Sequence, residues 1–101
     1  MEKRPSNALN MKFTWDEAKR RSNLVKHGLD FADVPAVFGG ITFTFEDDRF
    51  DYGEQRFITL GILKGAIVVV AYTERSGDIR IISMRKATKY EQELYFQGFT
   101  N

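Results

Sequence analysis

Between Ile41 and Met84 the chain is a succession of short apolar or alternating runs punctuated by turn residues, and nothing else in it constrains the fold as tightly. Ile41-Thr-Phe-Thr-Phe45 alternates with the two-residue period of a strand. Asp47 to Gly53 reads as an acidic turn, and Glu54 to Leu63 as the next strand. Lys64-Gly65 is a tight hairpin signal. Ala66 to Arg75 is nearly continuous in apolar residues, which places it centrally in a sheet, and Ser76-Gly77-Asp78 turns the chain into a last strand, Ile79 to Met84. Loops this short join antiparallel neighbours, because a parallel connection needs a crossover of a dozen residues or more. The region therefore predicts a meander.

The flanks predict helices. Met11 to Trp15 starts like a first strand, and Asp16 is a suitable N-cap, with Glu17 in the first turn favoured by the helix dipole. A polar helix then runs to Lys26 or His27 and stops at Gly28. Its apolar face is thin (Ala18, Leu24, Val25), so one side must stand in water. Asp30 caps a second, short helix carrying Phe31, Val34, Val37 and Phe38, in which Pro35 fits only within the first turn, and Gly39-Gly40 ends it. Thr88-x-x-Glu91 is a capping box that starts a final helix, packing Tyr90, Leu94 and Tyr95 on the sheet. The expected fold class is α+β, in the order β-α-α-β-β-β-β-α: two N-terminal helices and a C-terminal helix against a mainly antiparallel sheet, the helices on one face and the other face partly open. A length of 101 residues suits one core, assigned to residues 11–97, with residues 1–10 as a flexible extension and 98–101 as a tail.

Composition narrows the chemistry. Without cysteine there are no disulfides, thiol nucleophiles or Cys-based zinc sites, and a single histidine, His27, rules out a multi-histidine metal site. No metal and no cofactor are expected. The longest apolar run, Ala66 to Tyr72, falls far short of the roughly 20 residues of a membrane span, and residues 1–10 lack the apolar core of a secretory signal. These readings place the chain in the cytoplasm. The net charge is only +1, but cations gather at Lys19-Arg20-Arg21, at Lys26-His27 and from Arg80 to Lys89, so one face can still suit phosphate.

Glu54 and Arg56, two residues apart, share one face of a strand. The pair suits metal-free RNA cleavage: the carboxylate takes the proton of a 2′-hydroxyl while the guanidinium binds the phosphorane oxygens. A solvated ion pair is the plain alternative. Arg80 and Arg85 flank Ile81-Ile82-Ser83-Met84, and on a regular strand they point to opposite faces. One site holds both only if a bulge or a strand end lies between them. A histidine can protonate a leaving 5′-oxygen near neutral pH, and His27 equally suits the C-terminal end of a helix.

Phe13-Thr-Trp15-Asp16-Glu17-x-Lys19, Asn23-Leu24-x-Lys26-His27-Gly28-x-x-Phe31 and Val37-Phe38 resemble the N-terminal half of BrnT-type toxins. Asp48-Arg49, Tyr52-Gly53-Glu54-x-Arg56, Gly61, Tyr72-Thr73-x-Arg75 and Arg80-Ile81-Ile82-Ser83-x-Arg85-Lys86-Ala87, with Glu91 and Tyr95, resemble the second half. The resemblance spans about residues 11–96. It implies a RelE-like fold and the role of toxin in a type II toxin–antitoxin system: a bacterial endoribonuclease, independent of metal, that cleaves RNA and arrests translation. It further implies neutralisation by a BrnA-like antitoxin with a ribbon-helix-helix part, so that operator DNA is met only through the antitoxin. Carried onto this chain, the polar positions imply a catalytic set of Glu54, Arg56, Arg80, Arg85 and His27, and a substrate-binding set of Lys26, Arg75, Ser83 and Lys86. A non-catalytic RNA-binding or antitoxin-binding module of the same fold is the alternative. Pro35 departs from the family pattern, and Glu93-Leu-Tyr-Phe-Gln-Gly98 resembles an engineered protease-cleavage tag while keeping Tyr95 at the family spacing.

Overall fold

A computed structural model describes residues 11–49 and 51–100; the extension assigned to residues 1–10 lies outside the described residues. The elements are β1 (Phe13–Thr14), α1 (Glu17–His27), a 3-10 turn (Phe31–Asp33) running into α2 (Val34–Phe38), β2 (Phe43–Glu46), β3 (Phe57–Leu63), β4 (Ala66–Arg75), β5 (Asp78–Lys86) and α3 (Lys89–Thr100). They build one five-stranded sheet in the order β1-β5-β4-β3-β2. β2 to β5 form the expected antiparallel meander. The sheet is nonetheless mixed, because the two residues of β1 pair in parallel with β5, Phe13 opposite Ile79 and Thr14 opposite Arg80. Among the described residues no helix is long and apolar enough to cross a membrane.

Local signals set the element ends. The Asp16 carboxylate accepts from the Lys19 amide at 3.0 Å, and Gly28 closes α1 at φ 71°. Asp30 caps the 3-10 turn by accepting from the Ala32 amide at 2.9 Å. Pro35 falls in the first turn of α2, where its missing N–H costs nothing. Both long hairpins turn on two residues of positive φ, Lys64 (51°) with Gly65 (83°) and Ser76 (53°) with Gly77 (86°), the backbone twist that matches flanking strands. The capping box of α3 closes reciprocally: Thr88 N donates to Glu91 Oε1 at 2.9 Å and Glu91 N to Thr88 Oγ1 at 3.2 Å. α3 continues to Thr100, through three of the four residues assigned to a tail.

The layering differs from expectation. α1 and α2 cover one face of the sheet, where Phe31, Val34 and Val37 pack with Val68, Val70, Tyr72, Ile79, Ile81 and Met84. α3 lies on the opposite face, where Tyr95 and Leu94 meet Ile58, Leu60 and Val69. The alternation of β4, with Val68 and Val70 on one side and Val69 on the other, makes both faces apolar. A strand buried on both faces reads as a continuous apolar run, so the run foretold central burial without saying which helix covers which face. Two further boundaries moved. β3 begins at Phe57 rather than Glu54, and Val25, assigned to the apolar face of α1, is 89% exposed.

What α1 buries instead is Asn23. Its side-chain amide donates to Met84 O at 2.8 Å and to Leu29 O at 3.1 Å, and its carbonyl oxygen accepts from Met84 N at 3.2 Å. β1 is too short to cover this stretch of β5, so one side chain supplies the donor and acceptor that a neighbouring strand would have offered.

Candidate functional site

The site is organised by an irregularity in β5. Ala71 pairs with Ser83 but Tyr72 pairs with Ile81, so the ladder steps over Ile82, a bulge of one residue. Before the step Thr73 pairs with Arg80; after it Val69 pairs with Arg85. Partners across a ladder share a face, and Val69 belongs to the α3 face. Arg80, Ser83 and Arg85 therefore all rise from that face, which a regular strand would have forbidden.

At the end of this face beyond α3 a groove of about 150 Å³ is lined by Asp16, Lys19, Glu54, Arg56, Thr73, Arg75, Arg80, Ile81 and Ile82. Its four cations outnumber its two carboxylates in a molecule of net charge +1. Three separate segments meet here: the first turn of α1, the loop entering β3, and the β4–β5 hairpin. The Thr73 hydroxyl donates to Gln55 O at 2.7 Å and so ties the loop carrying Glu54 and Arg56 to β4. Glu54 Oε1 accepts from Arg75 Nη2 at 3.3 Å, and Glu54 Oε2 lies 3.9 Å from Arg56 Nε. Arg56 stacks on Tyr52, its guanidinium carbon 3.9 Å from the ring centroid, which fixes the plane of the fork. Arg56 Nε is buried and meets no hydrogen-bond acceptor among the described residues. The groove thus presents a carboxylate flanked by guanidiniums held in place by a ring, a hydroxyl and a hairpin.

The remaining sequence-derived candidates lie elsewhere. Arg85 shares the face of Arg80 but is held bidentately by Glu91, at 2.8 and 2.9 Å. That hydrogen-bonded pairing holds the Glu91 carboxyl down at about 2, well below the ordinary carboxylate value. Both line a second, wider groove of about 340 Å³ with Phe45, Asp47, Arg49, Ile58 and Tyr90. There the Arg49 guanidinium, 2.8 Å from the buried Asp47 carboxylate, holds Asp47 below its usual range. Ser83 is half-buried on β5 between the two arginines. Lys26 and His27 occupy the last turn of α1, with His27 about 12 Å along the axis from Lys19 at 1.5 Å per residue. Lys86 stands at that same end, in a cleft with Gly28, Asp33 and Lys64. The structure therefore gathers Glu54, Arg56, Arg75 and Arg80, and sets Arg85, Ser83, Lys26, His27 and Lys86 apart from them.

Lys19, Asp16 and Thr73 join the groove without having been singled out as site residues. Asp16 was read as a cap and Thr73 as a strand residue, and both stand in the blocks that resemble the family, without a site role. For Lys19 the available signals were its place in the Lys19-Arg20-Arg21 cation cluster and in the Trp15-Asp16-Glu17-x-Lys19 block.

A family model described as a ribonuclease toxin, BrnT, of type II toxin-antitoxin system matches residues 15–91, a span that includes every residue of the groove. No curated protein matches the chain in sequence.

Proposed function

The chain belongs to the BrnT family of ribonuclease toxins of type II toxin–antitoxin systems, and from that premise we propose that it cleaves RNA in the groove formed by Glu54, Arg56, Arg75 and Arg80. The observation that carries the reading is the Glu54 carboxylate facing two guanidiniums, with Arg80 lining the same concavity. Glu54 accepts the proton of a 2′-hydroxyl; the freed oxygen attacks the adjacent phosphorus, and the bond to the 5′-oxygen breaks as that oxygen takes a proton from water. The products are a 2′,3′-cyclic phosphate and a 5′-hydroxyl. Arg56 and Arg80 stabilise the charge that builds on the phosphorane oxygens, and Arg75 keeps the Glu54 carboxylate aimed. His27 stands too far along α1 for this proton path. Ser83 and Arg85 continue the face along which the RNA runs, and Lys26 and Lys86 meet only RNA that reaches the far end of α1.

A carboxylate already facing guanidiniums is a poor ligand for a divalent cation, so cleavage proceeds in EDTA. The expected partner is a BrnA-like ribbon-helix-helix antitoxin that silences the toxin, and expression without it arrests growth. Short RNAs incubated with the purified chain in EDTA test the reading directly. Cleavage should fall by about 10²–10³-fold on removal of Arg80, the cost of losing one donor to a developing oxyanion. Glu54→Gln should abolish most cleavage while RNA affinity holds or rises. Loss of cleavage in EDTA would refute the metal-free step. RNA that is bound but never cut would identify a binding module.

A further inference from the structure

Lys19 is the one groove cation that comes from a helix, and it is placed there by Asn23. The two are four residues apart and share a face of α1. Asn23 is pinned to both backbone polar groups of Met84. α1 starts beside β1, whose Thr14 pairs with Arg80, and reaches Met84 as β5 does, so helix and strand run the same way. One turn back from Asn23 is about 6 Å along the helix. Two residues back from Met84 is about 6.6 Å along the strand, at the Ile82 bulge. Lys19 therefore stands over the bulge, across the groove from Glu54 and Arg56.

Lys19 is exposed, and neither of the groove's carboxylates neutralises it: Glu54 is turned to Arg75 and Arg56, and Asp16 accepts from the Lys19 backbone amide. We propose that Lys19 is a further RNA-binding residue of this site, its ammonium contacting a phosphate on the α1 side of the groove, opposite the arginines that face the scissile bond. The inference rests on the reading of the groove as the RNA-cleaving site and goes beyond it by giving α1 a share in substrate binding. An ammonium is a point charge on a flexible stem, suited to hold a phosphate without imposing the bidentate geometry that arginine brings to the reacting centre.

The test uses the full chain and a short fluorescein-labelled RNA in two forms, 2′-O-methylated for binding and unmodified for cleavage. Lys19→Gln should weaken binding of the methylated RNA by about tenfold at low salt, as expected for one charge-assisted contact. It should lower the slope of log affinity against log salt by about 0.7, the share of one phosphate on a single strand. KM should rise while the single-turnover rate at saturation stays near wild type, and Lys19→Arg should restore most of the affinity. Arg21→Gln removes a cation from α1 outside the groove and should change neither quantity. Unchanged affinity and slope in Lys19→Gln, with wild-type cleavage intact, would overturn the inference alone. A lower saturated rate at unchanged affinity would also overturn it, since Lys19 would then serve the chemical step. A wild-type chain that neither holds nor cuts the RNA would remove the reading of the groove along with it.

Discussion

Asn23 carries a double duty at the residue scale, because one amide satisfies buried backbone groups on β5 and at the end of α1. Asn23→Ala leaves those groups unpaired and should cost roughly 2–6 kcal/mol in denaturant unfolding, at about 1–3 kcal/mol for each of the two buried Met84 groups. Asn23→Asp should be no better, since it turns an acceptor toward Met84 O and Leu29 O, both of which need a donor. A loss below about 0.5 kcal/mol in either variant would show that the clamp is dispensable. Gly61 marks the second tight point. A Cβ there would sit 2.6 Å from Val37 Cγ1 and 3.3 Å from Thr42 Cγ2, so α2 rests directly on the β3 backbone. Gly61→Ala should cost about 1–3 kcal/mol by overpacking. Combined with Val37→Ala, the total should fall short of the sum of the two single losses, since each change relieves the other. Strict additivity would place the strain elsewhere. Residue-level chemistry was legible where it is local. The spacing of Glu54 and Arg56 announced their meeting even though the strand begins after them. Lys19 was legible as one cation of a cluster but its place in the groove was not, because that depends on a hydrogen bond between residues 61 apart in sequence.

Among the elements, caps and hairpins were legible because a turn is decided by the residues within it: Asp16, Gly28, Asp30, Lys64-Gly65 and Thr88 all act where their chemistry says. The parallel pairing of β1, the bulge in β5 and the covering of the second face by α3 were not legible, since each depends on how distant segments align. α3 offers a test at this scale. Arg85 and the capping-box contacts from Thr88 keep the Glu91 carboxyl at about 2, so Glu91 enters the folded state more acidic than it is in the unfolded chain. A depressed carboxyl contributes stability above its ordinary value near 4.5 and loses it progressively as pH falls toward about 2. The wild-type melting temperature should therefore drop across this window. Glu91→Gln should start lower at neutral pH and decline less steeply, retaining only the slope from Asp47, Asp30 and Glu17, whose carboxyls are also lowered. Parallel pH profiles for the two proteins would mean that the Arg85–Glu91 pair does not couple to folding.

Over the whole molecule, the sheet separates a larger apolar layer under α1 and α2 from a smaller one under α3. Regions resting on fewer buried groups open more readily. Amide hydrogen exchange should thus be slowest in β4 and β5, and α3 should open at lower free energy while the other layer holds. Equal protection in α3 and β4 would indicate a single cooperative unit instead. Distances between side chains drift with every substitution, but the parity of a strand does not. A point mutation at Ile82 changes how that residue packs and leaves the residue count between Arg80 and Arg85 as it was. A regular strand of the same length would return the two arginines to opposite sides, whereas a strand shorter by that one residue would keep them on one face with no bulge at all. The alignment of polar groups along this face accordingly depends on one residue being stepped over and not on which residue it is, so diverging relatives are free to exchange the residue at the bulge, or to lose residue and bulge together.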